Sequence, residues 1–273
     1  MSKRAEVASI PQPPVRLIIG NAPDIDPEVP LQSMMRLAQE LGPIFRLTFP
    51  KHSLLALSGH SLVAEVCDES RFEKTTKGAL DVLRDLGGDG LFTARNDEPN
   101  WGKAHRLLMP AFSPSAMRDY FDDMVDIADQ MLTKWERLGP EVSLDVSDNM
   151  TRLTLDTIAL CGFGYRFNSY YQNEMHPFVD SMVRALREAG RRSRRLPIQN
   201  RLMLSTTRQY ESDIEYLHSV TAELIKKRRK LAKEETPTDL LSRMLNARDP
   251  LTGETLDDDN IRNQLVTFLI AGH

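Results

Sequence analysis

Apolar residues recur at helical spacing along most of this chain and alternate strictly in only a few places. Residues 1–30 are the exception. Pro11, Pro13, Pro14, Pro23, Pro27 and Pro30 each fix φ and remove a backbone donor, so a proline-rich arm without long elements is expected there. Leu31 to Leu41 has the period of a short helix, stopped by Gly42-Pro43. Ile44 to Phe49 and Ser53 to Leu57 read as two strands of a small antiparallel sheet, joined at Pro50-Lys51-His52. Short helices are predicted over Ser61–Cys67 and Leu80–Leu86. Gly87-Gly88-Asp89-Gly90 then breaks the chain before Leu91-Phe92.

The pattern beyond is mostly helical. Asn100 to Met109 stops near Pro110, and Ser113-Pro114, an N-cap followed by an N1 proline, opens one long helix to about Leu138. Val142, Leu144 and Val146 alternate with Ser143 and Asp145, which predicts a short strand. Asp148–Cys161 is a helix closed by Gly162 and Gly164, and Met175–Gly190 and Thr206–Leu231 are two more, split by a basic loop. Thr236-Pro237 starts a short helix, and Asp249 to Gly253 makes a turn. The last helix runs from about Ile261 and is apolar on most sides from Leu265, as in a helix buried in a core. Thr255, Asp257, Asp258 and Asp259 give it a capped, acidic start. Ala271-Gly272-His273 gives no matching stop, so the helix is expected to be cut short. The fold class expected is mainly α with a small N-terminal antiparallel sheet, as one domain over residues 31–273 after the arm.

Composition narrows the function. With 41% hydrophobic and 27% charged residues the chain is of ordinary soluble type. A net charge of −4 gives no global case for nucleic acid or an anionic membrane, and no apolar stretch reaches membrane-spanning length. Only two cysteines, Cys67 and Cys161, and no apolar leader point to a reducing, cytoplasmic setting. The six histidines lack metal-ligand spacing, so no metal site is predicted from spacing. The chain has neither a nucleophile elbow nor a phosphate-cradling glycine motif. The strongest local cluster is Asn100 to Arg106. On a helix Trp101 and His105 share a face, presenting an indole N–H and an imidazole that together suit a carboxylate, or else simply stack.

Several stretches in order carry a resemblance: C-D-E-S-R-F-E-K (67–74), G-D-G-L-F-T (88–93), M-T-R-L-T-L-D-T-I (150–158), C-G-F-G-Y-R-F-N-S (161–169), H-P-F (176–178), S-M-V-R-A-L (181–186) and L-I-A-G-H (269–273). With them the chain resembles the first part of a cytochrome P450, a haem-thiolate monooxygenase. It looks most like the haem domains of bacterial fatty-acid hydroxylases fused to a flavin reductase. That resemblance implies a haem, with NADPH, FAD and FMN serving it through a reductase domain or protein, and a lipophilic substrate. It implies that Trp101 and His105 grip a haem propionate with Lys74 nearby. By the same resemblance Leu91 and Phe92 would lie against the haem, with Phe92 covering its face beside the substrate. Leu80, Leu83 and Leu186 would line the pocket with Phe92. Ala271 and Gly272 match the point where the family's central helix widens over the iron to hold dioxygen.

The departures shape the expectation. The acidic-threonine pair after His273, the E-x-x-R helix pair and the glycine-framed cysteine ligand of the family are not among these residues. Cys67 and Cys161 sit in apolar helical contexts and read as structural, so the metal ligand is absent. The chain by itself is expected to be inert and to hold no haem stably. Relatives hold the substrate carboxylate with Arg and Tyr on the two strands; His52 and Ala56 stand there instead, a weaker anionic anchor because histidine is mostly neutral at pH 7. Arg184, Arg187, Arg191, Arg192, Arg194, Arg195 and Arg201, and the block Lys226–Lys230, read as solvated faces, the first in the lid over the substrate channel. From another class, the alternatives are a non-catalytic helical binding protein derived from this fold, or a pseudogene product.

Overall fold

The computed structural model describes every residue except 1–8, 27, 51, 77–78, 194, 196, 233–235 and 273, so Pro27, Lys51, Arg194 and His273, all named above, lie outside the described residues. The chain packs as two compact units, Met1–Lys74 and Thr75–His273.

In the first unit α1 (Pro30–Leu41) lies against a hairpin of β1 (Ile44–Phe49) and β2 (His52–Leu57), paired from Ile44 opposite Leu57 to Phe49 opposite His52. β1 alternates as its sequence does. Phe45 and Leu47 point inward onto Leu37, while Arg46 faces water. The proline-rich segment is fastened by Asn21, whose side chain accepts from Thr48 N at 2.9 Å and donates to Pro13 O at 3.2 Å. A backbone bond from Arg46 N to Pro11 O adds to it. A short helix, α2 (His60–Val66), follows.

The second unit is helical: α3 (Ala79–Gly87), α4 (Pro99–Leu108), α5 (Pro114–Asp119), α6 (Phe121–Leu138), α7 (Val146–Phe163), α8 (Pro177–Arg192), α9 (Pro197–Leu202), α10 (Leu204–Arg228), α11 (Leu240–Asn246) and α12 (Asp258–Ala271). α12 is the axis. Asp257 caps it by accepting from Asn260 N, and its Ile261, Leu265, Val266 and Leu269 are buried against α3, α7, α10 and α11. α8 and α10 run antiparallel, laced by Arg184 to Asp213 at one end and Arg192 to Thr207 at the other.

Four local predictions are corrected. The long helix from Ser113 bends at Tyr120, dividing α5 from α6, because Tyr120 ψ opens to −9°. No proline or glycine marks the bend; the Cys161 thiol on α7 donates to the Tyr120 carbonyl there. Val142–Val146 forms no strand. None of the described strands pairs with it, both valines are exposed, and Asp145 caps α7 by accepting from Asp148 N. The short helix after Pro237 starts only at Leu240, since the cap is Asp239. The basic loop after α8 contains α9.

Candidate functional site

α4 carries the aromatic pair. Trp101 and His105, one turn apart and half-buried, stack with ring centroids 5.1 Å apart and planes 15° from parallel. Three long side chains set the orientation of the helix. Arg106 clasps the buried Asp249 through Nε and Nη2 at 2.7 Å each, Lys103 meets Glu254 at 2.7 Å, and Arg243 donates to the Leu107 carbonyl. The pairing arises because α4 buries Ala104, Leu107 and Leu108, which turns residues 101 and 105 to another side.

The glycine loop after α3 is clamped onto α12. A Cβ on Gly90 would lie 2.3 Å from Thr267 Oγ1 and 2.9 Å from the Asn263 carbonyl, and one on Gly88 would lie 2.2 Å from Asn263 Nδ2, so only glycine fits at either place. Leu91 N donates to Gln264 Oε1 at 3.0 Å. The Asp89 carboxylate accepts from Asn263 at 2.8 Å and from Asn100 of α4 at 2.7 Å, and its carbonyl accepts from Asn260 at 3.2 Å. Burial works to raise the Asp89 pKa, but these amide donors outweigh it and leave the carboxyl below its ordinary value. Arg84 closes the far side of the loop on Glu98 at 2.6 Å and on the Thr93 carbonyl at 2.7 Å. Phe92 emerges from this frame 55% exposed.

Leu83 and Leu186, on the packed pair α3 and α8, are half-buried against the main core, as is Leu91; Leu80 is half-buried. Ala271 is exposed, and Gly272 N donates to Phe268 O at 2.9 Å. Gly272 packs closely on α7, where a Cβ would come 2.9 Å from Ile158. Lys74 is exposed at the end of the first unit, on whose β2 His52 is exposed and stacks on Phe49 at 5.1 Å, with Ala56 half-buried. Of the arginine run, Arg184 bonds Asp213, and Arg192 and Arg195 both reach Glu188, so these are spent in ion pairs; Arg187 and Arg191 are exposed. Cys161 is buried, which pushes its thiol up to about 11, and Cys67 is exposed.

The sequence reading missed Asp89 and its partners, although a signal was present. Asn260, Asn263, Gln264 and Thr267 stand at i, i+3, i+4 and i+7, a buried polar stripe beside the apolar Ile261, Leu265, Val266 and Leu269.

The matched region of the cytochrome P450 family model spans residues 10–273, nearly the whole chain. The chain belongs to the cytochrome P450 family. It is 53% identical over 268 residues to a bifunctional cytochrome P450/NADPH–P450 reductase of Bacillus subtilis, and 48% identical over 270 residues to one of Fusarium oxysporum. A self-sufficient cytochrome P450 monooxygenase of Penicillium expansum is 46% identical over 269 residues. Each match covers 98% of this chain but only 25–26% of the relative, so the chain spans about a quarter of the length of the curated relatives it matches. No helix among the described residues is long and apolar enough to cross a membrane.

Proposed function

We propose that this chain forms the substrate-side half of a haem pocket in a self-sufficient monooxygenase acting on fatty acids or similar lipophilic molecules. The observation that carries the reading is the stacked Trp101–His105 pair on α4, joined through Asn100 and Asp89 to the loop that presents Phe92. The donor set fits one end of a haem: an indole N–H and an imidazole on one helical face suit a propionate carboxylate. It does not supply the iron ligand, because burial keeps the Cys161 thiol protonated and its hydrogen faces the Tyr120 carbonyl. When bound, haem supplies the dioxygen chemistry, with electrons reaching it from NADPH through a flavin reductase of the kind fused in the relatives.

The chain's own residues then bind and exclude. Phe92 narrows access to the reacting face, and Leu80, Leu83 and Leu186 shed water from an alkyl chain, at about 0.8 kcal/mol per buried CH₂. The 273 residues alone are not expected to oxidise anything, lacking a thiolate for the iron. The test is the full-length protein carrying this chain, given NADPH, isotopically labelled dioxygen and a saturated fatty acid. Label in a hydroxylated product is expected, and NADPH oxidation without labelled product from fatty acids or other lipophilic substrates would overturn the reading.

A further inference from the structure

We propose that Asp89 is a positioning residue that couples the Phe92 loop, the start of α4 and the polar stripe of α12, and thereby sets which substrate carbon the site presents. The effect on substrate rests on the proposed function; the coupling itself does not.

A carboxylate serves both helices at once. Oδ1 of Asp89 accepts from Asn263 and Oδ2 from Asn100, so both oxygens receive N–H donors from different helices. Asparagine at this position offers one oxygen and one NH₂, so it keeps both arms only if Asn100 or Asn263 turns its own amide over, and neither arm then has a charged acceptor. Three residues beyond Asp89 stands Phe92, and the residue after Asn100 is Trp101, so one carboxylate sits between the aromatic of the pocket and the aromatic of the propionate face.

The stripe on α12 has little slack. Asn260 and Gln264 are fully buried, Gln264 uses its oxygen on Leu91 N and its nitrogen on Asn260 Oδ1, and Thr267 donates back to the Asn263 carbonyl. With Gly88 and Gly90 against Asn263 and Thr267, the loop has one seat on the helix. A shift of α12 therefore moves Phe92, and an error at Asp89 is felt at both aromatic positions.

The experiment uses the haem-loaded full-length protein with Asp89→Asn, and with the exchange pair Asp89→Asn plus Asn100→Asp. In the pair, the amide introduced at position 89 can accept from Asn263 and donate to the carboxylate introduced at position 100. Both arms are then made again, with reversed polarity at one. Amide hydrogen exchange over residues 88–94 is read alongside the positions oxidised on a saturated fatty acid. Asp89→Asn is expected to speed exchange there about tenfold or more, as for a lost bond to a charged group. It is also expected to redistribute the oxidised positions and to lower the global unfolding free energy by no more than the local loss, with the pair restoring both local readings. Unchanged exchange in Asp89→Asn would overturn the coupling. Faster exchange with an unaltered product distribution would overturn the positioning role, as would a pair that restores neither. If the wild-type protein oxidises no fatty acid, the functional reading fails and with it the positioning role, while the coupling is still decided by the exchange data.

Discussion

Arg228, the last residue of α10, straddles the carboxylate of Asp239, with Nη1 and Nη2 at 2.6 and 2.7 Å from its two oxygens, and both side chains are buried. The same guanidinium donates to Ser242 Oγ and to the Phe163 carbonyl at the end of α7. Asp239 in turn caps α11 by accepting from Ser242 N at 2.8 Å. One ion pair thus closes three helix ends. Arg228→Met leaves the carboxylate buried without its partner and is expected to destabilise the protein by about 3–5 kcal/mol. A urea midpoint that falls by less than a conservative surface substitution's effect would show that the pair contributes little.

His176 makes stability depend on pH near neutrality. Its Nδ1 accepts from Phe178 N at 3.2 Å, capping α8, and its ring lies edge-on to Phe167 at 4.8 Å. Burial lowers its pKa, with the Asp156 carboxylate pulling the other way. A depressed histidine favours the neutral form in the folded state, so its contribution is complete above the unfolded value of about 6.5 and declines as pH falls through the folded one. Asp156, raised by burial, titrates in the opposite sense: its contribution is lost as pH rises. Replacing His176 with Asn keeps a capping oxygen without a titrating ring, so stability should fall less between about pH 7.5 and pH 5 than in the wild type. His176→Ala should be weaker at neutral pH by about 1 kcal/mol. Parallel pH profiles for wild type and Asn variant would remove His176 as the source.

Arg106 and Asp249 give the acid limb. Hydrogen bonds from Arg106 hold the Asp249 carboxyl well below the carboxylate range, overriding burial, with Thr252 Oγ1 helping at 2.8 Å. A depressed carboxylate contributes stability above its unfolded value of about 3.9, and that contribution is lost as pH falls through the lower folded value. Arg106→Gln should therefore be less stable than wild type at neutral pH, and the difference should narrow in acid. Acid titration followed by circular dichroism, with and without the substitution, checks this; a gap that widens below about pH 4 contradicts it.

Elements with local signals were readable from the sequence. Asp257 before α12, Ser113 before α5 and Gly42 after α1 are short-range caps or stops, and each stands where its type predicts. Trp101 and His105 were legible for the same reason, being one helical turn apart. What was not legible depends on distant partners. Leu91 and Gln264 are 173 residues apart, and Asp89 and Asn263 are 174 apart, so no window along the chain joins them. The bend at Tyr120 follows from packing on α7, and the Val142–Val146 alternation misled because period two describes an extended segment whether or not a partner strand exists.

His52 and Ala56 lie four residues apart on β2, on one face, opposite Phe49 and Phe45 of β1. His52 is exposed and stacked on Phe49, so a longer cation there needs no buried space. If the carboxylate of a fatty acid meets this face, His52→Arg with Ala56→Tyr should supply a permanent charge and a hydroxyl donor. An exposed ion pair contributes roughly 0.2–1 kcal/mol, so kcat/KM for a fatty acid relative to its methyl ester should rise up to about fivefold in the full-length protein. Being solvent-exposed, the gain should shrink in high salt. An unchanged acid-to-ester ratio would mean that the substrate's charged end is held elsewhere, while a ratio that rises and then collapses with salt would place it at His52.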